Sequence, residues 1–322
     1  MKGEYTEKEA SRLAEKIHSI SLMTRAARKT GRPISALVLM QQAQQLEQSE
    51  EEVYETMRQS YVVMAESVEA GKAAGVRSTS GLSGGDAFRM EQARLAGNTL
   101  CGDLFTGALT RALAVSEWNA AMGRIVAAPT AGSCGILPAA VLSLQEVRGL
   151  PERDCVMSLF TASAVGLIIA RNACIAGAEG GCQAECGSAA AMAAAALVEL
   201  CGGAPEMIDS AVSIALGNTL GLVCDPVAGL VEIPCIHRNA AGVAGALVAA
   251  QLALAGIQSP IPADEAILAM KRVGDAMPSS LKETAEGGLA ATPTGRKLYE
   301  QVFGHAADTG HGCPPGCRAC KT

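Results

Sequence analysis

The stretch AAGVAGALVAAQLALAGI, residues 240–257, carries no charge and is about as long as a short bilayer span. Its reading decides the fold class. Glycine and alanine dominate it, and no aromatic belt or Lys/Arg cluster flanks it. Those features belong to a helix buried in a protein core rather than in lipid. The whole chain repeats the theme. Of 322 residues 49% are hydrophobic but only 3% aromatic, so the apolar mass is Ala, Val, Leu, Ile and Met. Helices of that composition pack backbone close to backbone.

Upstream, Ile34, Leu37 and Val38, then Val53, Met57, Tyr61 and Met64, recur at steps of three and four. This spacing predicts amphipathic helices over 6–25 and 34–70, broken at KTGRPIS, residues 29–35. They read as an N-terminal helical extension, residues 1–70, covering a larger domain over 71–303. Helical patterns continue at 99–125, in ILPAAVLSLQEV, at 158–177, in an Ala-rich run ending near 201–203, and at 263–276. Strand-period alternation is scarce. The expected fold is all-α, an Ala/Gly-rich helical domain.

The formal net charge is −6 and the pI about 5.4. That balance argues against nucleic acid as a partner and against docking on anionic lipid. The start, MKGEYTEKEASRLAEK, shows no apolar secretory region. The expected location is the cytoplasm, where the twelve cysteines stay reduced.

Three loops share a pattern of small residues followed by a helix: RSTSGLSGGDA (77–87), APTAGSCG (128–135) and AEGGCQAECG (178–187). Helix starts favour anions, and glycine permits close approach. Together the loops suggest a small anionic ligand such as a carboxylate.

The thiols divide by context. Cys101, Cys155, Cys174 and Cys201 lie in helix-like apolar runs and read as core packing. Cys134, within APTAGSCG, reads either as a ligand contact or as a small filler. CDPVAGLVEIPC, residues 224–235, holds two thiols apart on a loop stiffened by Pro226 and Pro234. The pair reads as a metal site whose metal the spacing leaves open. An iron–sulfur cluster tolerates such separations. Zinc stays open, because His237 is near.

GAEGGCQAECGSAAAMAAAALVE (177–199) and GLVCDPVAGLVEIPCIHRNA (221–240) resemble the α subunit of iron–sulfur-dependent L-serine dehydratase. STSGLSGGDA, APTAGSCGILPA and KETAEGGLAATPTGRKL (282–298) match that family in the same order, over roughly residues 35–303. The resemblance implies an all-α catalytic domain over 71–303. It also implies a [4Fe–4S] cluster on Cys182, Cys224 and Cys235, with thiols at 134, 174 and 186 as fillers. Three thiolates on four irons leave one iron open as a Lewis acid for the serine β-hydroxyl.

The resemblance further implies a β subunit carrying part of the active site, where the base that takes the Cα proton would lie. Within this chain His237 is the candidate base, and its alternative is support of the loop. Substrate contacts are assigned to Ser78, Ser80, Ser83, Gly84, Gly85 and Asp86, and to Thr130, Gly132 and Ser133. The tail, residues 304–322, ends in HGCPPGCRACKT and departs from the family pattern. Cys320 is a possible fourth ligand capping the open iron, beside a separate metal site or an unstructured end. Alternatives to L-serine deamination are a cysteine desulfidase, a non-catalytic iron–sulfur sensor and a structural zinc protein.

Overall fold

The computed structural model describes residues 18–304. They form thirteen α-helices, and among them no strand, so the all-α expectation holds. In chain order α1 is Ile20–Thr30, α2 Ile34–Leu46, α3 Glu50–Gly71, α4 Asp86–Leu95 and α5 Asp103–Ala120. Then come α6 Ile136–Arg148, α7 Glu152–Asn172, the short α8 Gly177–Gly180, α9 Ser188–Leu200 and α10 Pro205–Gly217. The last three are α11 Cys235–Leu254, α12 Ala263–Ala276 and α13 Pro293–Phe303.

Local chemistry sets the boundaries. Ser19 caps α1 by accepting the Leu22 N–H, and Gly31 ends it in the left-handed region at φ 67°. The helix expected over 34–70 is two helices. Ser49 and Glu52 form a reciprocal capping box that starts α3 afresh.

At the centre is α9, buried continuously from Ser188 to Val198. It packs against α6, α7, α10 and α11. Small side chains let the axes approach: at Gly71, where α3 crosses α5, a Cβ would run into the Ala114 carbonyl. The helices α1–α3 join the same core, through Ile20, Met23, Leu37 and Val53.

The stretch 240–257 falls mostly in α11, which is less buried than its composition predicts. One face, Gly242, Val243, Ala246, Ala249, Ala250 and Ala253, is buried. The other shows Val248, 46% exposed. All-round burial belongs to α9 instead. One helix among the described residues, α7, is long and apolar enough to cross a membrane, and 67% of its apolar window is buried inside the protein.

Candidate active site

The site is assembled where loops meet at the starts of α9 and α11. Cys182 stands at the head of a single π turn, Gln183–Gly187, that runs directly into α9. Such turns are rare and cluster at functional positions. Gln183 fixes the turn: its N–H donates to Leu222 O, its side-chain amide donates to Met270 O, and its oxygen accepts from Gly221 N–H. Cys235 is the first residue of α11. Both thiols therefore sit at helix starts, where the backbone dipoles favour a thiolate.

Cys224 is held by a pair of backbone bonds, donating to Leu281 O and accepting from Glu283 N–H, each at 2.8 Å. These tie the cysteine loop to the segment KETAEGG. Asp225 continues the tie by accepting from Arg238 and from Leu289 N–H, both at 2.7 Å. Arg238 also donates to Val223 O.

Cys182, Cys224 and Cys235 are all buried. They face one another as charges. Burial pushes the Cys235 thiol up to about 12, and the Cys182 charge adds to this. Burial drives Cys224 higher still, again with Cys182 second. Cys186 is 3.3 Å from Cys182, sulfur to sulfur. Its proton lowers Cys182, and Arg238 helps, while Cys186 itself rises well above the usual thiol range. Cys186 is thus more than a filler: it touches a predicted ligand.

Cys224 and Cys235 are buried thiols whose ionisation is opposed by burial and by the Cys182 charge, and a strongly cationic group would reverse both effects. Among the described residues no three Cys, His, Asp or Glu are placed to share a single metal ion.

The loops 77–87 and 128–135 are tied to the cysteine loop and to α11. Ser80 and Ser83 donate to the two oxygens of Glu232, at 2.7 and 2.6 Å. Glu232 belongs to the cysteine loop, so these hydroxyls tie the first Gly/Ser loop to it. At the start of α4 the anion is supplied from within: Glu117 accepts from Asp86 and Ala87 N–H. Ser78 accepts from Ser83 N–H and closes the loop, while Gly84 and Gly85 turn it at φ 127° and 84°.

The second loop turns at Ala131–Ser133, and the Thr130 and Ser133 hydroxyls lie 3.1 Å apart. Asn239, on α11, accepts from Gly135 N–H and donates to Gly132 O and to Cys235 O. Asp86 pairs with Arg89 and with His237, whose Nε2 is 3.3 Å from Asp86 Oδ2. The His237 side chain is 69% exposed, on the rim rather than among the thiols.

Residues 305–322, with Cys313, Cys317 and Cys320, lie outside the described residues, as do residues 1–17 of the helix expected over 6–25. Of the other thiols, Cys134 and Cys155 are buried fillers, as expected. Cys101 is exposed, in the turn ahead of α5 where no helix covers it. Cys174 and Cys201 are only partly buried, and Arg148 donates to the Cys201 sulfur.

Glu185 and Glu232 are the carboxylates that motif reading passed over. Glu185 lies beside Thr130 and Gly177, and burial raises its carboxyl above the usual range.

Fold and site define a helical protein whose small-residue loops meet beside a group of buried thiols. Residues 29–290 match the family model of the serine dehydratase alpha chain, and the chain belongs to that family. It is 49% identical over 273 residues to the probable L-serine dehydratase alpha chain of Bacillus subtilis, covering 85% of this chain and 91% of that one. To the probable L-serine dehydratase alpha chain of Latilactobacillus sakei it is 53% identical over 202 residues, 63% of this chain and 97% of that one. It is 41% identical over 276 residues to the L-serine dehydratase of Streptomyces coelicolor, covering 83% of this chain and 59% of that longer one.

Proposed function

We propose that this chain is the catalytic subunit of a cytoplasmic lyase, an L-serine ammonia-lyase converting L-serine to pyruvate and ammonia. The observation that carries this reading is the convergence of Cys182, Cys224 and Cys235, buried together, in a chain of this family. These three cysteines would hold a [4Fe–4S] cluster, which when bound supplies a Lewis acid for the substrate hydroxyl.

The rest of the work falls to the protein. Thr130, Gly132 and Ser133, on the loop that Asn239 joins to the start of α11, would orient the substrate carboxylate. The Ser78–Asp86 loop, anchored on Glu232, would close the opposite side and exclude water. Loss of the Cα proton and of the β-hydroxyl yields an enamine, which tautomerises to an imine and hydrolyses to pyruvate and ammonia. The proton acceptor would come from a β subunit: relatives are named alpha chains, and the Streptomyces relative extends well beyond the matched region. A β chain docking over the rim would meet His237 and Asp86 first.

The test is anaerobic purification with iron and sulfide analysis, followed by pyruvate release from L-serine with and without the β chain. We expect about four irons per chain, as the proposed cluster requires. Cys224→Ser should lose both iron and pyruvate formation, whereas Cys134→Ser, at a filler, should keep both. Iron and turnover surviving in Cys224→Ser would refute the proposal.

A further inference from the structure

The carboxylates around this site are each held by donors. Glu117 takes two backbone N–H groups. Asp225 takes Arg238 and a backbone N–H. Glu232 takes two serine hydroxyls. Away from the site, Glu199 takes Thr161 and Ser35. Glu185 differs. Its polar neighbours are the Thr130 hydroxyl and the Gly177 N–H, both neutral. The charged neighbour acting on it is Glu283, of the same sign. Among the described residues it makes no ion pair.

Its position is also specific. A Cβ built on Gly132 would sit 3.3 Å from Glu185 Oε2. A Cβ built on Gly177 would sit 2.9 Å from the same oxygen and 2.9 Å from Cys224 Sγ. The carboxylate therefore lies between the Thr130–Ser133 turn and the cysteine centre, and two glycines keep the space around it clear. A half-buried carboxylate with only neutral donors and a like charge beside it favours a small positive group delivered by the ligand.

We infer that Glu185 is the anchor for the α-ammonium of the amino-acid substrate, a binding residue for the reaction proposed above, on which this inference rests. Glu185 would take the ammonium while the 130–133 turn takes the carboxylate. That pairing fixes which face of Cα turns toward the incoming base and sends the β-hydroxyl toward the thiols. It also defines the substrate class as α-amino acids with a β leaving group, and it excludes hydroxy acids of the same skeleton.

The test compares two ligands on the anaerobic, iron-loaded protein with its β chain: L-serine, and 3-hydroxypropanoate, which lacks only the ammonium. Binding is followed by calorimetry and turnover by pyruvate. Glu185→Gln should weaken L-serine binding about 10- to 100-fold, the range expected for losing a charged hydrogen bond. Affinity for 3-hydroxypropanoate should stay within about twofold, since that ligand never used the carboxylate. Glu185→Asp, which keeps the charge, should lose less serine affinity and still spare 3-hydroxypropanoate; it stands in if the glutamine variant loses its helical signal or its iron.

Equal loss for both ligands would overturn the ammonium role, and so would recovery of serine affinity on raising potassium, which would make Glu185 a metal-cation site. Wild-type protein that carries iron yet releases no pyruvate from serine would sink the parent reading instead.

Discussion

Single residues decide how firmly the thiols are held. Gly288 sits at φ 58°, and a Cβ there would press into the Asp225 carboxylate. Asp225, 3% exposed, fixes Arg238, and Arg238 fixes Val223 next to Cys224. Gly288→Ala combines left-handed backbone strain with a steric push on a buried ion pair. The expected cost is about 2–3 kcal/mol, read as a Tm lowered by roughly 4–10 °C together with faster loss of iron to a chelator. An unchanged Tm would show that the segment 282–289 shifts freely and does not brace the cysteine loop. The three thiols were legible because the family motifs mark them. Glu185 was not, although it stands in the same motif. Its significance comes from Gly132 and Gly177, which only folding brings to it, and from the missing cation, which no sequence pattern states.

At the level of elements, the sequence carried a stop that periodicity overrode. Val53, Met57, Tyr61 and Met64 continue the helical phase of Ile34, Leu37 and Val38, so 34–70 looks unbroken. Yet Glu47 is left-handed at φ 54°, and Ser49 with Glu52 begins a new helix. The S-x-x-E signature was there to be read. Ser49→Ala removes the cap and should lower Tm by about 2 °C, measured by thermal unfolding, with iron content and serine affinity unchanged because α3 lies outside the site. A larger loss, extending to iron, would mean that the α2–α3 corner is coupled to the cysteine centre. The π turn at 183–187 had no such signature. It is imposed by Gln183 reaching Met270 and Gly221, contacts made by distant segments. Similarly, α11 reads as fully apolar, but its neighbours cover one face only, and composition does not reveal which.

Across the whole molecule, the Ala-rich core acts as a frame from which loops far apart in sequence are hung at one end. Asn239 shows how that frame transmits order. It is 1% exposed, and its one side chain joins the 130–135 loop to the first turn of α11, which carries Cys235. Asn239→Ala would leave the Gly135 N–H and the Gly132 carbonyl unpaired in a buried setting, at about 2–4 kcal/mol. Because those groups belong to the turn proposed to hold the substrate carboxylate, and the Cys235 carbonyl loses its extra donor as well, the damage should not be confined to stability. Serine affinity should fall at least about tenfold and iron should leave more readily, while far-UV circular dichroism keeps its helical amplitude below the lowered Tm. A core helix variant of equal thermal cost, such as Val212→Ala in α10, separates the two effects: it should lower Tm but spare serine affinity. If both variants lost affinity in proportion to their Tm, the loops would be following global stability, and the joint at Asn239 would have no special part in assembling the site.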